Sequence, residues 1–179
     1  WSGRGDATDA AGLRGTRGGP GLIPLDGSNA KTVVAKPLTN TPTVDGECND
    51  PSTEYDGSDT GSNANMTFLI GAKNAFVYVC VSLTADTTDG GTNDWAHLLF
   101  DRDHSDDASP QVGDRLFNRT SGGGSGTFTA KKGDGSGWVD CGTSCSPDNT
   151  GYGMFNTTLG YEVYEFKISF YDVWTPLGN

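Results

Sequence analysis

The sequence predicts an all-β fold: an antiparallel β-sandwich of the jelly-roll or immunoglobulin-like kind, preceded by an extended N-terminal arm. Three observations carry that expectation. β-Branched and aromatic residues gather in short runs with a period of two. Clusters of Gly, Asp, Ser and Asn separate every run. No stretch keeps a helical period over a useful length. The 179 residues, 27 of them glycine, suit one domain plus an additional segment.

The arm comes first. Residues 1 to about 30, WSGRGDATDAAGLRGTRGGPGLIPLDGSN, are crowded with glycine and show neither strand nor helix period. Such a composition buries too little apolar surface to order itself alone. The tripeptide Arg4-Gly5-Asp6 reads as a chance product of that composition. AKTVVAKPL (30–38) is a β-branched run containing Pro37 and reads as an edge strand. The expected division is therefore residues 1–40 as an arm with a candidate donor strand, and 41–179 as the sandwich. The chain starts at Trp1, which reads as a mature end left by signal-peptide removal or as a start inside a precursor.

Within the sandwich, TPTVDGECND (41–50) opens the folded part, and NMTFLIGA (65–72) is a strand followed by a short turn at Lys73–Asn74. AFVYVCVSLT (75–84) is the strongest strand. Val77, Val79 and Val81 fall on one face and Phe76, Tyr78 and Cys80 on the other, so it should be covered on both sides. DWAHLLFD (94–101) is a further apolar run, and DRLFNR, GTFTAKK and GYGMFNTT are shorter candidates. GYEVYEFKISFYDVW (160–174) puts Tyr164, Phe166, Ile168 and Phe170 on one face. Val163, Glu165, Lys167 and Ser169 lie on the other, which reads as a wet side.

Taken in order, four of these pieces resemble the family 9 carbohydrate-binding-module-like sandwiches and the related DOMON-type domains. They are TPTVDGECND, with Val44, Asp45, Gly46 and Asp50; NAFVYVCVSLTADTTDGGTNDWAHLLFDRDH; SPQVGDRLF with GDGSGW; and GYEVYEFKISFYDV. The likeness spans about residues 41–174. It implies a secreted sandwich, structural calcium near the loop after Phe100, and a sugar gripped between aromatic rings. Two features depart from the pattern. No ring pair maps onto Trp95, Trp138 and Trp174, and Trp95 and Trp174 lie in strand-like runs that read as core. The chain also reaches only Asn179, so the sandwich reads as one strand short.

The most concentrated charge is in LLFDRDHSDDASPQ (98–111), where Asp101, Asp103, Asp106 and Asp107 crowd together and Asp114 follows. This is not an EF-hand loop, because position six is Asp106 rather than Gly and position twelve is Val112 rather than Glu. Clustered carboxylates repel one another unless a cation or solvent screens them. Calcium, which takes six to eight hard oxygens, and a plain solvated loop both remain open here. ADTTDGGTND (85–94) reads as turn chemistry. A glycosidase would need two carboxyls facing each other across a cleft, for which a small Gly-rich sandwich offers little wall. His97 and His104 are the only histidines, and no nucleophile elbow is present. GDGSGW and SGGGSG lack the lysine and the strand–loop–helix setting of a phosphate loop. No catalytic residue is expected, and the chain does not read as an enzyme.

Four cysteines, Cys48, Cys80, Cys141 and Cys145, indicate disulfides in an oxidising compartment. The tight loop DCGTSC favours pairing Cys141 with Cys145, which leaves Cys48 with Cys80. Zinc would want a second closely spaced pair or nearby histidines. Sequons at Asn65, Asn118 and Asn156 agree with a secreted, extracellular or cell-surface location. The net charge of −11 disfavours nucleic acid and anionic membranes as partners. No run is long and apolar enough for membrane insertion. Two functions follow as expectations. One is a structural subunit whose partners are copies of itself, built into a filament or surface layer by donor-strand exchange of the arm, through AKTVVAKPL or the flanking GLIPL (21–25). The alternative is a secreted carbohydrate-binding module with polysaccharide stacked on Trp138 or Tyr152.

Overall fold

The alternation of the apolar runs decides the architecture. The computed structural model describes residues 11–16, 35–48, 54–56, 58–62, 65–102 and 109–173, with the backbone alone for 11–16, 59 and 61. In chain order the strands are β1 Ala11–Thr16, β2 Lys36–Pro37, β3 Asp59–Ser62, β4 Thr67–Lys73, β5 Phe76–Leu83 and β6 Trp95–Phe100. They continue as β7 Arg115–Thr120, β8 Phe128–Gly133, β9 Trp138–Asp140, β10 Thr150–Asn156 and β11 Tyr161–Ser169, followed by the one-turn α-helix α1, Phe170–Val173. One sheet has the order β1-β6-β7-β8-β9 and the other β10-β11-β5-β4-β2, with β3 also pairing with β4. The pairings are antiparallel except for the short β2–β4 contact. The chain is the all-β sandwich that its period-two runs predict.

Between β4 and β5 the chain reverses at Asn74, whose φ of 55° is the left-handed conformation that Asn tolerates and that tight hairpin turns require. The main core lies between the sheets. It joins Phe68, Ile70, Val77, Val79, Val81, Leu98, Phe100, Phe117, Tyr164, Phe166 and Ile168. A second cluster of Leu38, Cys48, Tyr55, Tyr78, Cys80 and Val163 lies on the other face of the six-stranded sheet. It is covered by Leu38, Val44, Cys48 and Tyr55, and the Cys48–Cys80 disulfide ties this covering segment to β5. A Cβ on Gly71 of β4 would overlap the Leu38 side chain, so glycine lets this covering segment lie flat on the sheet. β5 is buried on both faces, as its sequence predicts.

Three expectations need correction. The wet side assigned to β11 is largely dry: Val163 and Glu165 are fully buried, because Leu38, Val44, Cys48 and Tyr55 pack over that face. Trp95, read as core, lies on the outer face of β6, while Ala96, Leu98 and Phe100 point inward. Its ring packs against His97 at 3.9 Å between centroids. Residues 11–16, read as having no strand period, form β1. This strand pairs along its full length with β6, from Ala11 opposite Phe100 to Thr16 opposite Trp95. A ladder of backbone hydrogen bonds needs no side-chain period. Of the expected edge strand at 30–38, Lys36 and Pro37 form β2 at the sheet's edge; residues 30–34 lie outside the described residues, as do the alternative donor segment 21–25 and Trp174.

Candidate functional site

The acidic stretch after β6 is placed in part. Asp101 is half-buried at the strand's end, and Asp103, Asp106 and Asp107 lie outside the described residues. Asp114, immediately before β7, is buried, and its Oδ2 accepts the Gln111 N–H at 2.8 Å. Its charged neighbours are guanidinium groups. Arg115 donates to the carbonyls of Gly113 and Asp114 at 2.9 Å and pairs with the fully buried Asp172 at 3.6 Å. Burial and the charge of Arg115 lower the pKa of Arg102, against the pull of Asp172 and Asp114. Asp114 is thus a turn acceptor set beside arginines. Among the described residues no three His, Cys, Asp or Glu side chains are grouped as a metal site.

Both disulfides form in the expected pairing, Cys48 with Cys80 and Cys141 with Cys145, which places the chain in an oxidising environment. Beside the second lies an open groove of about 560 Å³ lined by Phe128, Ala130, Cys141, Cys145, Pro147 and Asn149, among others. The three sequon asparagines differ. Asn65 is half-buried ahead of β4, and Asn118 is half-buried in the middle of β7. Asn156 is buried, and its Oδ1 accepts the N–H groups of Thr158 and Leu159 at 3.1 and 3.0 Å. It is a turn-forming asparagine closing the β10–β11 hairpin. The two rings considered for sugar stacking sit on different sheets, Trp138 on β9 and Tyr152 on β10. The Tyr152 ring is already covered by the Arg119 guanidinium at 5.5 Å.

Two buried acids on β11 carry geometry that the sequence reading missed. Glu165 faces the covering segment. Its Oε2 accepts the N–H groups of Asp45 and Gly46 at 2.8 and 2.7 Å, and its Oε1 accepts the Tyr55 hydroxyl at 2.8 Å. Burial pushes its pKa up to about 7 against the opposing effect of these donors. The Tyr55 hydroxyl is in turn pushed up by burial and by Glu165. Gly46 has a φ of +90°, and a Cβ there would press on Met154 and Tyr152. Of the Val44-Asp45-Gly46 motif, it is Gly46 that this latch requires, since Asp45 contributes only its backbone N–H.

Glu162 faces the inter-sheet space. Its Oε2 accepts the Ser121 hydroxyl at 2.6 Å. Burial raises its pKa to about 7, with Asp94, Asp89 and Asp86 adding to the rise and Ser121 opposing it. One signal could have found it, since Glu162 is in phase with Tyr164, Phe166 and Ile168 on the core face of the strand.

The remaining feature is the outer edge of the five-stranded sheet. Among the described residues β1 is the terminal strand and pairs with β6 alone, and residues 17–34 separate it from the next described part of the chain. No helix among the described residues is long and apolar enough to cross a membrane. No protein-family model, no curated protein and no solved structure matches the chain.

Proposed function

We propose that this chain is a non-catalytic structural subunit of an extracellular filament or surface layer, in which β1 of one copy pairs with β6 of the next. The observation that carries this reading is the β1–β6 ladder: six residues in unbroken register, at a sheet edge, supplied by a Gly-rich arm. Backbone hydrogen bonds do not distinguish which copy supplies the strand, so such an element exchanges readily. A β6 edge without β1 would leave unpaired N–H and C=O groups. The link of residues 17–34 reaches at most about 60 Å when extended, enough to span to a neighbour. Head-to-tail exchange is heterologous and does not close, so it yields an open fibre. Disulfides and a strongly acidic surface suit an oxidising exterior, and in this reading the chain is secreted. Glycans sit at Asn65 and Asn118, and calcium screens the loop around Asp101–Asp107.

The test is electron microscopy with light scattering on the natively purified chain, alongside a variant lacking residues 1–20. Fibres from the full chain, lost in the variant and blocked by a peptide spanning residues 8–20, are expected. Monodisperse full-length monomers at every concentration would sink the reading. Sugar binding is the second reading and rests on Trp138, half-buried on the edge strand β9, without Tyr152 as its pair; a glycan screen tests it.

A further inference from the structure

The loop between β5 and β6, the residue after β7 and the start of β11 bring oxygen atoms together in a region that neither disulfides nor the strand ladder uses. Asp86 and Asp94 are 4% exposed, and Glu162, Ser121 and Tyr164 are fully buried. The backbone pins them to one place: the Glu162 N–H donates to the Asp86 carbonyl at 3.3 Å, and the Ser121 N–H to the Asp94 carbonyl at 2.8 Å. Some of the oxygens are occupied. Asp94 Oδ2 accepts the Gly90 N–H at 2.7 Å, Asp86 Oδ1 accepts the Thr88 hydroxyl at 3.2 Å, and Glu162 Oε2 takes Ser121. Two are not. Glu162 Oε1 and Asp86 Oδ2 are buried without a hydrogen-bond partner, while the Tyr164 hydroxyl lies against Ser121. The charge of Arg119 reaches Tyr164, but its terminal nitrogens are engaged with the carbonyls of Gly126 and Gly123. An unpartnered buried polar atom costs free energy. Two such carboxylate oxygens, with Asp89 and Asp94 adding negative charge, make a place that attracts a positive occupant.

We propose that this cluster binds one hard divalent cation, calcium, with Glu162 and Asp86 as its carboxylate ligands. Every donor is oxygen, which excludes the softer metals that favour thiolate or imidazole. Calcium accepts irregular shells that mix carboxylates, hydroxyls, carbonyls and water, whereas magnesium demands a near-ideal octahedron. Three carboxylates are not gathered around one point, so two charges and neutral oxygens hold the ion. The affinity then falls in the weak range of extracellular modules, about 10⁻⁴–10⁻³ M. The site is distinct from the loop at Asp101–Asp107: one precedes β6 and the other follows it. It stands whether or not the chain forms fibres.

The test is calcium titration of the EDTA-stripped full chain, read by thermal unfolding and by displacement of terbium whose luminescence is excited through the protein's aromatic rings. Calcium should raise the unfolding temperature by several degrees and quench terbium emission. E162Q and D86N should each weaken the calcium effect at least tenfold. D134N, at an exposed turn acid, and the double variant D101N/D103N should leave it unchanged. Should E162Q fold poorly, D86N carries the comparison. The proposal fails if neither readout responds to calcium, if the response survives E162Q and D86N, or if it disappears in D101N/D103N. It also fails if stability follows pH alone and E162Q flattens that dependence, because the occupant would then be a proton.

Discussion

Glu162 and Glu165 stand three residues apart on one strand, face opposite sides of the sheet and are both fully buried. Burial raises the pKa of each to about 7. Their partners differ. Glu165 receives three hydrogen bonds, two from the backbone of Asp45 and Gly46 and one from Tyr55. Glu162 receives one, from Ser121, keeps a bare oxygen and lies among aspartates. Burial alone therefore does not tell a structural acid from a site acid; the donor count does. The satisfied glutamate holds the covering segment to the sheet, and the unsatisfied one is left for a ligand.

The largest effects should come from breaking the satisfied side. Glu165→Ala strips three buried donors of their acceptor and should destabilise the fold by about 3–5 kcal/mol in denaturant titration. Removing the Cys48–Cys80 disulfide, which closes a sequence separation of 32 residues, should cost about 3–4 kcal/mol by the loop-entropy estimate. Tyr55→Phe removes one donor and leaves Glu165 Oε1 bare, as Glu162 Oε1 already is, for about 1–3 kcal/mol.

Smaller changes separate the two acids more finely. Without calcium at pH 8, Glu162→Gln relieves repulsion from Asp86, Asp89 and Asp94 and should raise stability by about 1 kcal/mol. Glu165→Gln should be close to neutral. Its amide oxygen can accept the two backbone N–H groups while its NH₂ donates to the Tyr55 oxygen. A destabilising Glu162→Gln in calcium-free buffer would erase the distinction.

The pH dependence of Glu165 has a defined sign. Its folded pKa lies near 7, above the ordinary value of 4.5. Below that ordinary value both states are protonated. As pH rises from about 4.5 to 7 the unfolded chain ionises first, so stability falls, and it levels off above the folded pKa. Glu165→Gln should flatten part of that fall in unfolding curves measured across this window.

The strands that alternate clearly were legible in the sequence. Residues 65–84 and 160–174 foretold β4, β5 and β11, because β-branched and aromatic residues gather there in short runs bounded by turn residues. The pairing of Cys141 with Cys145 was legible from their spacing. β1 was not, since a backbone ladder in a Gly-rich arm has no side-chain period to read. The covering segment was also hidden. Its contacts join Asp45, Gly46 and Tyr55 to Glu165 across 110 to 120 positions, a separation no local pattern encodes. That hidden layer is why Glu165 read as solvent-facing. The acidic cluster at Asp86–Asp94 looked like turn chemistry because Glu162, its fourth acid, comes from a distant strand.

In the strand exchange proposed above, β1 pairs with the neighbour's β6 as readily as with its own, and a designed cross-link tests this. Arg14 and His97 are cross-strand partners in the register, so an R14C/H97C variant places two thiols at a spacing a disulfide can bridge. Mild oxidation of the assembled protein, followed by a non-reducing gel, should give a ladder of covalent multimers that collapses on reduction. A single cross-linked monomer band, with no ladder at any protein concentration, would show that the arm folds back on its own domain and would contradict strand exchange.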